Sequence, residues 1–359
     1  MDFNDDVFCV LPFIGAHYDL NGKQYFCCPG SDDISEPGKA LELKKKIANG
    51  ERIDHCKECY RIEDRGGASA RTRESRVWLQ DPEINEYIKN WTPEGEQKVF
   101  AYEIRHSNKC NLQCISCKPE FSSLWAKELN VQIDYTPPEM DYDSILSSKK
   151  LYLAGGEPLV IEEVLDLLEA IADADVQPEV VINTNLVRVG AKLKDVLSRI
   201  KNLTLTISVD AYGKANEYHR YPLKWDKFIK NLDWAKTLDC TLMFNTVVDA
   251  ITVQNLHKLV VLEDYISFWT LTFIVNRPWL EVRNVPEEYK NEVISNLHTL
   301  RKSKFYQSDI EFEIQVNAII NEVGKAGDYK ALARNIKEID ARRNIDYRDY
   351  LDIDLEEYT

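Results

Sequence analysis

Between residues 98 and 280, six short apolar runs (99–105, 150–154, 179–183, 203–209, 241–248 and 270–275) alternate with stretches whose apolar residues recur at helical spacing. Val164, Leu165, Leu168 and Ile171 share one helix face, and Leu193, Val196, Leu197 and Ile200 share another. Trp225, Phe228, Ile229 and Leu232 make a third stripe. Strands separated by a helix have enough connecting chain to pair in parallel, with right-handed crossovers. Six such units fall short of the eight that close a barrel. The pattern predicts an α/β fold built as an open or partial (β/α)6 barrel.

Other segments flank this core. Residues 1–75 are rich in Cys, Gly and Asp and carry the turn signals Asn21-Gly22 and Pro29-Gly30. Residues 76–97 read as a polar connector, 98–285 as the core, and 286–359 as a helical extension ending in an acidic tail. Pro286 suits a helix N-terminus, where the charges of Glu287 and Glu288 are favourable.

A hydrophobic content of 44% over 359 residues is enough for a full core. The formal charge of −15 disfavours nucleic acid as a partner, because phosphate neutralisation calls for a basic face. No apolar run is long enough for a membrane span. The acidic start, MDFNDD, lacks the basic region of a secretory signal, so a cytoplasmic protein is expected. Of nine cysteines, all but Cys240 precede residue 118. An odd number of clustered thiols in a reducing compartment argues for metal or redox chemistry over a disulfide framework.

Cys110-Asn-Leu-Gln-Cys114-Ile-Ser-Cys117 directly follows the first expected strand. Three thiolates on a four-iron cluster leave one iron without a protein ligand, open to a chelating molecule. Zinc at this triplet would want a fourth protein ligand. The triplet resembles the signature of the radical S-adenosylmethionine (SAM) superfamily, and the resemblance extends over about 98–280. Leu153-Ala154-Gly155-Gly156-Glu157-Pro158 is similar to the family's GGEP segment; there Gly155 and Gly156 would let backbone approach the ligand, and Glu157 would accept from the SAM ammonium. Thr184 and Asn185 end the third strand where relatives carry a Thr-Asn-Gly turn. Ser208 and Asp210 are similar to a ribose-contacting Ser-x-Asp, Arg220 to an arginine pairing with the SAM carboxylate, and Asn276 to a backbone contact for adenine. Ser116 departs from the pattern, because relatives place an aromatic residue before the third cysteine.

Nearer the N-terminus, Cys9, Gly22 and Cys27 form a C-x12-G-x4-C run, followed by Cys56-Lys-Glu-Cys59. This resembles the opening of SPASM and twitch domains, which bind auxiliary clusters; here it precedes the core, as in some twitch-type radical SAM proteins of phages and bacteria. The resemblance implies a second four-iron cluster on Cys9, Cys27, Cys56 and Cys59. Cys28 competes with Cys27, the G-x4-C spacing favouring the latter, and a four-cysteine zinc site remains the alternative. Either metal would help stabilise a region with too few apolar residues for its own core.

The resemblance implies reductive cleavage of SAM to a 5′-deoxyadenosyl radical that takes hydrogen from a substrate, with a flavodoxin- or ferredoxin-type reductant. A peptide or protein is the first expectation for the substrate, with Arg277-Pro278-Trp279-Leu280 at its opening. The alternatives are a small metabolite or nucleic acid as substrate, or a non-catalytic iron–sulfur or zinc regulatory protein.

Overall fold

The computed structural model describes residues 6–64, 69–274 and 277–356. They gather in two compact units: Met1–Ser107, Asp134–Gly155 and Asp166–Val181 make the first, and Asn108–Ile133, Gly156–Leu165 and Ile182–Thr359 the second.

The first unit carries β1 (Gly15–Tyr18), β2 (Gln24–Tyr25), β3 (Ala101–Arg105) and β4 (Lys150–Ala154), in the order β2-β1-β3-β4. β1 and β2 form an antiparallel hairpin with His17 opposite Tyr25, and Gly22 holds φ +69° in its turn. β1 pairs in parallel with β3, and β3 with β4, so His17, Glu103 and Tyr152 stand side by side. β5 (Glu179–Thr184) gives residues to both units. The second unit continues with β6 (Leu203–Ser208), β7 (Thr241–Val248) and β8 (Phe268–Phe273), all parallel.

The six expected strands are all present, forming an α/β fold with a parallel sheet; β8 starts earlier than its apolar run suggested. β1 and β2 were not expected. Four and two residues long, they show no alternation that could be recognised. Leu203, Leu205 and Ile207 alternate inward along β6, as do Leu242, Phe244 and Val248 along β7. The helices Glu162–Asp173, Ala191–Arg199 and Trp225–Ala235 bury Val164, Leu168, Val196, Leu197, Phe228 and Leu232 from the expected stripes.

One expectation needs correction. The N-terminal region has its own core, in which Phe8, Phe13, Ile14, Phe26, Ile47 and Tyr60 pack with Ile84, Ile88 and Trp91. The last three lie in the supposed connector, where Asp81 caps the helix Pro82–Lys89 by accepting from the amides of Glu83 and Ile84. One or two apolar residues per short element build a core without any periodic run to announce it. At the other end, Leu351, Ile353 and Leu355 are buried, so the acidic tail packs as far as residue 355. Among the described residues no helix is long and apolar enough to cross a membrane.

Candidate functional site

The three cysteines of the triplet lie on an irregular loop of the second unit, fixed from several sides. The Cys110 amide donates to Ser123 Oγ at 3.1 Å, and the Trp125 indole donates to the Cys114 carbonyl at 2.7 Å. The amides of Gln113 and Ile115 donate to the carbonyls of Tyr221 and His219, both at 2.7 Å. Burial raises all three thiols, Cys114 to about 12, and the neighbouring thiols raise Cys110 and Cys114 further. Cations work against this: Arg220 favours thiolate at Cys114 and Cys117, Arg343 at Cys114, and Arg277 at Cys117. A metal that takes these sulfurs must displace their protons, and the three guanidiniums ease that displacement.

Glu157 is 2% exposed, and its carboxylate collects three donors. Oε1 accepts from Thr184 Oγ1 at 2.7 Å and from the Leu159 amide at 3.1 Å, while Oε2 accepts from the Asn185 amide at 2.6 Å. Burial nonetheless leaves its carboxyl raised. Of the roughly four acceptor positions of a carboxylate, about one remains for a ligand. Asn185 Nδ2 in turn donates to Asn111 Oδ1 at 2.8 Å, next to Cys110 in the chain.

Gly156 also makes room for the protein's own backbone. A Cβ there would lie 2.2 Å from the Lys109 carbonyl, so its bareness lets the backbone of the cysteine loop pass. Gly155, at φ +119°, belongs to the first unit and lies against Ser107.

Asp210, after β6, is fully buried and faces Arg220: Arg220 Nε stands 2.8 Å from Oδ2, and Nη2 donates to Oδ1 at 3.2 Å. Oδ1 also accepts from the Val247 amide at 2.9 Å. The carboxylate expected at ribose and the arginine expected at the SAM carboxylate are thus paired with each other. Ser208 donates to Asn183 Oδ1 at 3.4 Å. Asn276 lies outside the described residues. In the segment expected at the substrate opening, Arg277 donates to the Cys117 carbonyl and Leu280 is fully buried.

No motif points to Arg343, on the helix Tyr329–Arg343, which donates to the Gln113 carbonyl at 2.9 Å and lies over the rings of Trp125 and Tyr221. Its partner Glu128 is 3.2 Å away. No local pattern could have found a contact between residues 230 positions apart.

In the first unit, Cys9, Cys27, Cys56 and Cys59 line one cavity, together with His55 and Arg71. Cys9 precedes the short helix Leu11–Ile14, Cys27 follows β2, Cys56 ends the turn Asp54–Cys56, and Cys59 sits in the helix Lys57–Glu63. Cys28 is not part of this lining; its sulfur takes a 3.1 Å contact from Arg105 Nη2. Burial and the mutual proximity of the thiols raise Cys9 and Cys27, and bring Cys56 to about 12. Arg71, paired with Glu63, lies on the same lining and favours thiolate at Cys56. Among the described residues no group of three or more His, Cys, Asp or Glu is spaced to hold a metal ion.

Residues 104–261 match the family described as the radical SAM superfamily. Proteins of this family use a four-iron cluster with SAM. Among curated relatives, a probable GTP 3′,8-cyclase of Methanocaldococcus jannaschii is 29% identical over 34% of this chain and 42% of its own length. The GTP 3′,8-cyclase of Clostridium perfringens is 26% identical over 59% of this chain and 65% of its own. The match thus spans less than two thirds of either relative. Among solved structures, Streptococcus suis SuiB bound to its precursor peptide SuiA aligns with TM-score 0.40 and 16% identity, over 77% of this chain and 60% of that one. Native anSMEcpe with bound AdoMet and a peptide aligns with TM-score 0.41 and 14% identity, over 58% and 61%.

Proposed function

We propose that this chain is a radical SAM enzyme whose cluster is held by Cys110, Cys114 and Cys117. The observation that carries the reading is the gathering, within one unit, of three thiols with the Arg220 guanidinium and the Glu157–Thr184–Asn185 network. When bound, the cluster and SAM supply an electron and a 5′-deoxyadenosyl radical that takes hydrogen from a substrate. Arg220 offers the carboxylate of SAM a cation held in place by Asp210, and Glu157 offers its remaining acceptor to the ammonium. Ser208 stays available for ribose, whereas Asp210 serves through Arg220. Gly156 keeps the cysteine loop close.

Cys9, Cys27, Cys56 and Cys59 would hold a second four-iron cluster. The four cysteines line one cavity, and a four-cysteine zinc site is the alternative for the same residues. The N-terminal cysteine pattern supports a peptide or protein as substrate, with a flavodoxin- or ferredoxin-type reductant. A second reading, a small metabolite, is favoured by the relatives named GTP 3′,8-cyclase. The test is anaerobic reconstitution followed by dithionite reduction with SAM. Formation of 5′-deoxyadenosine is expected, and none from a fully iron-loaded protein would favour the regulatory, non-catalytic reading.

A further inference from the structure

His219 has no part in the reading above, yet it is fully buried with a carboxylate at each ring nitrogen. Nδ1 stands 2.9 Å from Asp210 Oδ2, and Nε2 stands 2.7 Å from Asp249 Oδ2. Only the imidazolium has a proton on both nitrogens. Asp249 is fixed on its other oxygen, where Oδ1 accepts from the amides of Ile251 at 2.9 Å and Thr252 at 3.0 Å. The far end of the row is Arg220, paired with Asp210 and 3.9 Å from the Cys114 sulfur through Nη1. Charges therefore alternate along one line: Asp249 negative, His219 positive, Asp210 negative, Arg220 positive. The sum is zero, and the end beside the cysteine loop is the cation.

We propose that His219 is a positioning residue for SAM binding, balancing Asp210 from behind so that Arg220 can present its positive charge to the cofactor's carboxylate. The inference rests on the SAM-binding reading of Arg220. Without the imidazolium, two buried carboxylates would face one guanidinium, and the row would carry a net negative charge toward an anionic group. Uncompensated charge in a low-dielectric interior acts strongly over such distances. Burial by itself favours neutral imidazole, and the flanking carboxylates overcome it, lifting His219 to about 9. The backbone carbonyl of His219 also receives the Ile115 amide at 2.7 Å, so the residue that balances the charge also holds the cysteine loop.

The test uses two variants that break the same hydrogen bond with opposite electrostatic effect. His219→Gln leaves the row one charge negative; Asp249→Asn removes a negative charge, leaving it neutral if His219 gives up its proton and one charge positive if it does not. In iron-loaded, unreduced protein, SAM titration should show His219→Gln weakened tenfold or more and Asp249→Asn within threefold of wild type, or tighter. Equal losses in both would reduce His219 to a structural residue and overturn the inference, as would wild-type affinity in His219→Gln. Should His219→Gln not fold, the double variant His219→Gln/Asp249→Asn, which restores the charge balance, takes its place: affinity within threefold of wild type is expected, and a tenfold loss overturns the proposal. Arg220→Ala is the control. If it binds SAM like wild type, the reading of Arg220 fails and this inference with it; if it is weak while the two variants are equal, only the inference fails.

Discussion

The Arg220 guanidinium stands 3.9 Å from the Cys114 sulfur, although 106 positions separate the two residues. The same group is held by Asp210 at 2.8 Å, so it cannot swing away as a surface arginine would. A ligand meeting this cation meets it already oriented. Arg220→Ala should weaken SAM binding roughly ten- to a hundredfold, since a hydrogen bond to a charged group contributes about 1.5–3 kcal/mol. Arg220→Lys should recover only part of the loss, because lysine cannot bond Asp210 and a second carboxylate in one plane. Titration of SAM into protein of verified iron content measures both.

Replacing Cys110, Cys114 or Cys117 singly by Ala should abolish reductive formation of 5′-deoxyadenosine. With one thiolate gone, the loop offers two sulfurs where three leave a single iron open. If all three variants still yield 5′-deoxyadenosine under dithionite, the cluster assignment is wrong.

The two adjacent cysteines of the first unit should separate cleanly. Cys27 lines the cavity with Cys9, Cys56 and Cys59, while Cys28 faces Arg105. Reconstituted wild type should hold about eight irons, two four-iron clusters of the kind Cys sites support. Cys27→Ser should fall toward about four irons, and Cys28→Ser should keep about eight. A wild type with about four irons and one tightly bound zinc would replace the second cluster with a zinc site.

What the sequence disclosed follows from range. The six strands were legible because each repeats an apolar pattern over several residues, and the cysteine loop because its ligands lie within eight positions. The N-terminal core was not, because Ile84, Ile88 and Trp91 reach Phe13 and Ile47 across stretches without periodicity. Asp210 is legible by its position in a motif, but its partners, Arg220 and His219, are set by tertiary geometry. Leu351, Ile353 and Leu355 were hidden among acidic neighbours, since composition averages over the alternation that buries them.

Glu157 should matter to the fold as well as to the cofactor. Its carboxylate satisfies Thr184 Oγ1 and the amides of Leu159 and Asn185 in a buried place. Glu157→Ala orphans these donors, each at about 1–3 kcal/mol. Glu157→Gln keeps acceptor capacity on one oxygen only. Thermal denaturation should therefore rank wild type above Gln and Gln above Ala, with SAM affinity falling in the same order. A Glu157→Ala protein as stable as wild type would mean that the network does not hold the strand ends.

The ion pairs of His219 give the last prediction, a dependence of stability on pH. Its facing groups are the carboxylates of Asp210 and Asp249, with Arg220 reaching it through Asp210. Their attraction outweighs burial and raises His219 from 6.5 to about 9. Between those values the folded chain keeps a proton that the unfolded chain has released, so stability falls as pH rises. The contribution is full below about 6.5, and it is lost as pH climbs through about 9. At about 1.4 kcal/mol per unit, it amounts to roughly 3 kcal/mol. Anaerobic denaturation from pH 6 to 10, compared with His219→Gln, isolates this residue: the gap between the two proteins should shrink toward alkaline pH. A gap that stays constant across the range would mean that His219 is neutral in the fold and that its two carboxylates do not hold a proton there.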